Sequence, residues 1–591
     1  MRLKRKWLNG TILSLLLVFA LLVSACAGAG PAETGGEAAM EEEAAAADAA
    51  SDIPDANLAV NPDTVGSDRL LILPGRGRFG VGVWGSVTAS NWNFGSETYY
   101  MTVMPLIFLG PLGNSTPTPW LAKRVDPVDD RTALEIELYE EGQWSDGETI
   151  TTEDVSFTLH LLYHGDADYW LGDARGMIPN VAGGQDYYDG TADSISGIQI
   201  IDDFNMRIEF DTPVGQIWRD LGMLGILPEH HLGGFTAAQL WAGDFPDSWV
   251  PEVFSGPYQV VKFDEEAKYL ENQRWEEWWG NAIYGKPGIK RYAEQSGLTL
   301  ANFLEGQSDM VKIGATDYDT VSDLDGVSIH PRTFMMTGYG LNRMDDRKLS
   351  RKVMDAIAFS IDRAVWAEVL YFGFGDPEDS VFGLRGHLEG ASDSFCPDCD
   401  ESLVLPRQYN PEQSMQLLAE AEAEGDWDPD RVLTILTGAG GDASVLLQQQ
   451  LAAVGIESEI LAGEELRQER QESGEYDIDM VGGWVMNTIR NCTYWVGSCE
   501  QDFWPSKFHW CNEDFRSMCV DAMGTTDPEE FTRLSEEIMQ IYFNDGPIWG
   551  VTQIAEFYVM TSALGGFVPE EAFNFLGTSG EKGVASWYWI E

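Results

Sequence analysis

Apolar and polar residues alternate with period two at Leu134, Ile136 and Leu138 against Glu135 and Glu137, which predicts a half-buried β-strand. Leu70–Leu73 reads as another strand. Ile198–Ile201 and Met206–Phe210 flank Asp202-Asp203-Phe204-Asn205 and are expected to pair as a hairpin. Helices show themselves by their first residues. Thr236 with Gln239, Asn410-Pro411-Glu412-Gln413 and Asp527-Pro528-Glu529-Glu530 each offer a capping side chain and a residue three positions on that can reach back to it. From Lys352 to Leu370, Val353, Ile357, Ile361 and Val365 fall on one helical face, and Gly373 follows as a stop. Strands come mostly in pairs with helices between the pairs, so the pattern predicts a mixed α and β architecture, not one doubly wound sheet.

Length, charge and the amino-terminal region narrow the class. At roughly 150 residues per domain, 591 residues suggest about four units or fewer large ones. Apolar residues make up 44% and aromatic residues 12%, enough for sizeable cores. Acidic residues outnumber basic ones 96 to 37, a formal charge of −59, which repels phosphate backbones and argues against nucleic-acid binding. Residues 1–25 carry Arg2, Lys4, Arg5 and Lys6 and then an apolar run from Ile12 to Val23, the pattern of a secretory signal and too short for a comfortable span. The run closes in Val23-Ser24-Ala25-Cys26, which resembles a bacterial lipobox and implies cleavage before a lipidated Cys26. Residues 27–67 hold nine acidic residues and no basic one, and read as an extended spacer between the lipid and the folded part.

Six further cysteines, Cys396, Cys399, Cys492, Cys499, Cys511 and Cys519, form an even set in an exported chain and favour disulfides. Proximity suggests Cys396–Cys399, Cys492–Cys499 and Cys511–Cys519, although fifteen connectivities are possible. Cys396-x-x-Cys399 alone has zinc-like spacing, and the remaining four do not supply a second such pair, so no metal site is expected. No cofactor signature survives inspection. Gly75-x-Gly77-x-x-Gly80 follows an apolar strand, but Val81-Gly82-Val83-Trp84-Gly85 is no helix start to hold a pyrophosphate. Gly280-x-x-x-x-Gly285-Lys286 imitates a phosphate loop, yet Pro287 stands where a hydroxyl must meet magnesium. GxSxG and HExxH are absent, and His230-His231 is expected on a helix start at the surface. Catalysis therefore has no support in the residues.

One set of landmarks is specific. Leu134 to Tyr139, Gly142, Trp144-Ser145-Asp146-Gly147-Glu148 and Thr151 to Phe157 give a strand, a glycine turn, an exposed Trp-Ser-Asp-Gly turn and a capped helix. Leu227-Pro228-Glu229-His230, Ser255-Gly256-Pro257-Tyr258, Trp275 to Trp279, Gly340-Leu341-Asn342, Tyr409-Asn410-Pro411-Glu412 and Tyr476-Asp477 follow in order. This series resembles the family 5 extracytoplasmic solute-binding proteins, the peptide-type receptors of ABC importers. The resemblance implies a mixed α/β, two-lobed, periplasmic-binding-protein-like fold with a hinge and an additional third domain. Carried onto this chain, lobe I takes residues 68–110, 245–335 and 548–591, the extra domain 111–244, and lobe II 336–547. It also implies a monomeric receptor without cofactor, anchored by lipid alone at the outer face of the cytoplasmic membrane or in the periplasm, with ABC permease subunits as partners.

In peptide-binding members an Asp three residues after a Gly-Trp pair holds the peptide's amine. Here the pair is Gly483-Trp484 and the third residue on is Asn487, which accepts a hydrogen bond but brings no charge. Some members bind oligosaccharides, whose C–H faces lie on aromatic rings. Trp84, Trp92 and Asn93 in lobe I, and Trp484, Asn487, Tyr494 and Trp495 in lobe II, are the candidate ligand contacts. Trp275, Trp278 and Trp279 are assigned to the scaffold.

Overall fold

The computed structural model describes residues 67–590 except 76–100, 109–117, 168–174, 176–177, 215–216, 218–220, 223, 249, 265, 333–335, 376, 378–406, 439–440, 485–507, 554 and 567–586. The first strands are β1 (Leu70–Gly75), the short β2 (Ile107–Phe108) and β3 (Thr118–Pro119), β4 (Ala122–Val128) and β5 (Ala133–Leu138). β6 (Ile198–Ile200) and β7 (Asn205–Glu209) make the expected hairpin and extend an antiparallel sheet in the order β4-β5-β7-β6. Its apolar face follows from the period: Leu134, Ile136 and Leu138 are buried while Glu135 is exposed, and Met206 and Ile208 of β7 join the same core.

The helix Thr152–Leu162 adds Val155, Leu159 and Leu162 to that core. At its start, Trp144 corrects the expectation of a wholly exposed turn: Asp146 and Gly147 are exposed, but the indole is fully buried. An aromatic ring gains most when buried, provided its N–H finds a partner. Asp154 supplies one, accepting from Trp144 Nε1 at 3.3 Å, Thr151 N at 2.9 Å and Glu229 N at 2.8 Å. Burial pushes the Asp154 carboxyl up in spite of those donors.

β8 (Tyr258–Asp264), β9 (Tyr269–Arg274) and β10 (Arg291–Ser296) join β1 in a sheet ordered β1-β10-β9-β8, with β1 and β10 parallel. Gly256, just before β8, must be glycine, because a Cβ there would sit 2.2 Å from the Met101 carbonyl oxygen. The chain continues through β11 (Met310–Gly314), β12 (Val327–Arg332), β13 (Met336–Leu341), β14 (Leu433–Thr437), β15 (Ser458–Ala462), β16 (Ile478–Trp484), β17 (Ile548–Gln553) and β18 (Glu556–Thr561), ending in the small pair β19 (Leu564–Gly565) and β20 (Tyr588–Trp589). β11, β18 and β12 form a three-stranded antiparallel sheet. Asp309 ties it to β1: its carboxylate accepts from Ile72 N at 2.9 Å and pairs with Arg69, and its own amide donates to Ile72 O.

The remaining five strands form a sheet ordered β15-β14-β16-β13-β17. β14 is parallel to β15 and β16, while β13 runs against both β16 and β17. One core beside it gathers Tyr339, Leu341, Ile357, Ile435, Leu447, Leu451 and Ile478. A second lies around the helices Glu513–Gly524 and Pro528–Asp545, with Phe508, Trp510, Phe515, Ile538 and Tyr542. Gly340 lets Phe508 approach, since a Cβ would come within 2.0 Å of its ring. The caps behave as the sequence indicates: Thr236 and Gln239 form the reciprocal box, Asn410 accepts from Gln413 N, and Asp527 accepts from Glu529 N and Glu530 N.

The run from Lys352 to Leu370 is not one helix, which corrects the sequence reading. It divides into Arg351–Ser360 and Arg363–Tyr371, because Ile361 is extended and the Asp362 carboxylate accepts from Val365 N, starting a new helix. The break turns the second face, so Val353, Ile357 and Ile361 are buried but Val365 is 38% exposed.

Asp545 shows what the acidic residues do where they are packed. It accepts from Trp510 Nε1 at 2.9 Å, pairs with Arg343, and has Lys348 Nζ at 3.5 Å. Burial pushes its carboxyl up, but the Trp510 and Arg343 hydrogen bonds and charge outweigh that and hold it below the usual value. A depressed carboxylate stabilises the fold above its unfolded pKa of about 3.9, and the gain is lost as pH falls through the lower folded value. Asp545→Asn should therefore cost about 1–3 kcal/mol at pH 7 and flatten the loss of stability below about pH 4. Urea titrations at several pH values check this; identical acid limbs in both proteins would remove the assignment.

Candidate ligand-binding cleft

Two connections link the five-stranded sheet to the three-stranded one. β12 passes into β13 across residues 333–335, and β17 passes into β18 between Gln553 and Glu556. Register fixes where both begin. Met336 pairs with Trp484 on one side and Gln553 on the other, so these three residues form one row. β14, β15, β16 and β17 share a direction and β13 opposes them, so the row belongs to the carboxyl-end edge of the sheet. In open α/β sheets that edge is where ligands bind, because the chain leaves the sheet there and frees backbone groups.

The edge is polar and its side chains are held. Thr552, Gln553 and Thr337 are all buried, and the Thr337 and Tyr371 hydroxyls lie 2.6 Å apart. Burial pushes the Tyr371 hydroxyl up, keeping it protonated and able to donate at neutral pH. Pro377 bridges to Thr552 on β17. Between them, Phe372 and Gly373 take left-handed conformations, φ 53° and 78°, and turn the chain toward the three-stranded sheet. There the Phe374 ring centroid lies 4.7 Å from Tyr318 and 5.0 Å from Phe557, and Tyr371 packs on the same cluster. An aromatic plug thus accompanies the two crossings.

Charged residues behind the edge are engaged in the fold. Asp479 of β16 binds Arg467 through both oxygens, at 2.7 and 3.0 Å, and also accepts from Gln471 at 2.7 Å. Asp477 pairs with Arg431 and accepts from Thr434 N. Arg407 lies 3.8 Å over the Trp549 ring and donates to Asp355 and to the Phe543 carbonyl.

Of the candidate ligand contacts, the structure places Trp484 as the last residue of β16, on the row beside both crossings. Trp84, Trp92 and Asn93 follow the end of β1 at Gly75, and Asn487, Tyr494 and Trp495 follow the end of β16; all six lie outside the described residues. So do Cys26, Cys396, Cys399, Cys492 and Cys499, whereas Cys511 and Cys519 are each disulfide-bonded. Trp278 and Trp279 are buried against Trp120, Tyr139 and Tyr284, as scaffold aromatics should be, with Trp275 packed beside them. His230 and His231 open the short helix Glu229–Leu232 and face Asp146 and Asp247, each at 2.9 Å. Among the described residues no group of three or more His, Cys, Asp or Glu could hold a metal ion, and no helix is long and apolar enough to cross a membrane. Sequence reasoning missed the Tyr318, Phe374 and Phe557 plug, since contacts between distant residues leave no local period; only the Gly373 stop marked the turn.

The chain matches the family described as bacterial extracellular solute-binding proteins, family 5 (middle), over residues 116–501. It is 22% identical over 449 residues to the oligopeptide-binding protein AppA of Bacillus subtilis, covering 72% of this chain and 76% of that one. Among solved structures, AppA from Bacillus subtilis in complex with a nonapeptide superposes with a TM-score of 0.67 at 17% identity, over 88% of this chain and 99% of that chain. A mannohexaose-bound periplasmic oligopeptide-binding protein of an ABC transporter from Thermotoga maritima gives 0.67 at 17% identity, over 86% and 95%. The fold is accordingly the mixed α/β, two-lobed fold of periplasmic binding proteins.

Proposed function

The chain belongs to the bacterial extracellular solute-binding proteins of family 5, and from that premise we propose that it captures a peptide-type solute between its lobes and delivers it to an ABC importer. The observation that carries this reading is the row Trp484–Met336–Gln553, which brings the carboxyl edge of one sheet to both crossings at once. The first lobe comprises residues 68–110 and 245–335 with the carboxyl-terminal strands, and 111–244 form the inserted domain. The second lobe takes 336–547 as the resemblance implies, and the pairing of β17 (Ile548–Gln553) with β13 supports carrying it on to the crossing at 554–555.

The physics is differential affinity. A solute that touches both lobes favours the closed state only by contacts the open state lacks, and closure expels water from the polar edge, strengthening each hydrogen bond inside. The closed shape is then what a permease can read. Binding is the whole task, and no bond in the solute needs to change. We place the protein outside the cytoplasm, tethered through Cys26 by the acidic spacer 27–67, with its other six cysteines in disulfides. Peptide is favoured by the Bacillus subtilis relative, whose name and solved complex are those of an oligopeptide binder. The second reading, an oligosaccharide, is favoured by Asn487 in place of a carboxylate and by the mannohexaose complex.

Thermal unfolding of the unlipidated mature chain with a degenerate nonapeptide pool and with mannohexaose decides between them. A solute at 100 times its Kd should stabilise the fold by about 2.7 kcal/mol. Stabilisation by mannohexaose alone would replace the peptide reading with the sugar reading. Consumption of either compound would replace the receptor with an enzyme.

A further inference from the structure

A contact between the inserted domain and the second lobe lies on elements that take no part in either crossing. Pro213, Val214 and Ile217, beyond the end of β7, and Val520, Met523 and Gly524, in the last turns of the helix Glu513–Gly524, line one shallow groove. The approach is close, since a Cβ built on Gly524 would lie 3.2 Å from the Pro213 carbonyl oxygen. Val214 and Ile217 are buried at 6% and 2% exposure, whereas Val520 remains 45% exposed. The inserted-domain side is fixed in place: Asp211 N donates to Asn180 O at 2.8 Å, and Asn180 Nδ2 donates to Thr212 Oγ1 at 3.1 Å. The helix side is fixed by the packing of Phe515, Cys519 and Ala522 into its own core.

Two pre-formed surfaces meet here, and on the helix side Val520 stays half in water although the Val214 and Ile217 that line the groove with it are buried. That is how a contact looks when it must make and break, unlike the sealed cores on either side of it. Rotation about the crossing strands carries the second lobe as a body, so a contact away from the crossings changes as the cleft opens. The aromatic plug at Phe374 sits beside the crossings and can persist through that motion; the groove at Gly524 cannot.

We propose that this contact is a closure latch: the Val520–Gly524 turn seats on Pro213, Val214 and Ile217 only in the closed state, so the inserted domain contributes to solute affinity without touching the solute. The proposal rests on the receptor reading above. Because Val520 keeps 45% exposure even with the contact made, Val520→Asp should leave far-UV circular dichroism and the unliganded melting temperature unchanged while placing a charge at the rim of the groove, beside Val214 and Pro213. The mature wild-type and V520D chains are compared by small-angle scattering and by titration with the degenerate nonapeptide pool. V520D should bind the pool about tenfold more weakly, through faster release, because the lost contact belongs to the closed state alone. Should neither chain bind the pool, the receptor reading fails by itself, and the latch is then read from a larger radius of gyration in V520D. Equal affinity, or equal radii where nothing binds, overturns the latch.

Discussion

Asp479→Ala is expected to destabilise the five-stranded sheet by about 3–5 kcal/mol, a large fraction of what holds a domain together. Asp479 has no exposed side-chain surface and lies in β16, paired to β13 through Gly340 and to β14 through Leu436. Its carboxylate takes two hydrogen bonds from Arg467 and one from Gln471. Burial pulls the Arg467 guanidinium down, but the Asp479 hydrogen bonds and charge outweigh it and raise its pKa, so the cation is committed to this partner. Removing Asp479 leaves that cation and the Gln471 amide facing a cavity, which costs more than the pair is worth intact. Arg467→Met in the same chain should recover part of the loss, because the uncompensated charge is then gone. Urea unfolding of the wild type, both single variants and the double variant measures this. A loss under about 1 kcal/mol for Asp479→Ala would mean that water reaches the pair.

What could be read from the sequence was local, and what could not was assembled across the chain. β5 was legible because Leu134, Ile136 and Leu138 bury one face with period two, and the β6–β7 hairpin because four polar-rich residues separate two apolar runs. The starts at Thr236, Asn410 and Asp527 were legible because a cap is a relation between neighbours. Periodicity misled at Ile361, where a single aspartate begins a new helix and shifts Val365 off the buried face. It misled again at Trp144, whose burial depends on Asp154 being free to accept its N–H. The cleft was legible only in outline. Gly483-Trp484 stood out through resemblance, but that Trp484 shares a row with Met336 and Gln553 is a fact of register between strands 148 and 69 positions away in the chain. The Phe374 plug and the Gly524 groove are further examples, each built from segments that no sequence window contains.

Trp484→Ala is the sharpest test of that outline, with an expected loss of about 2–4 kcal/mol in binding, or roughly thirtyfold to a thousandfold in Kd. Trp484 closes β16 at the row from which both crossings depart, and the two preceding residues, Gly482 and Gly483, bring no side chain to that edge. An indole can stack on a peptide side chain or a sugar face alike, so the expectation does not depend on which solute is taken. Closure adds to its weight, since a contact made only in the closed state enters the affinity in full and also shifts the open–closed balance. The variant should keep its unliganded melting temperature, while nonapeptide or mannohexaose titrations report the loss and scattering reports weaker compaction at the same solute concentration. Unchanged affinity with an unchanged melting temperature would move the pocket off this edge, toward the amino-terminal candidates Trp84, Trp92 and Asn93, and the row of Trp484, Met336 and Gln553 would then serve only as the hinge.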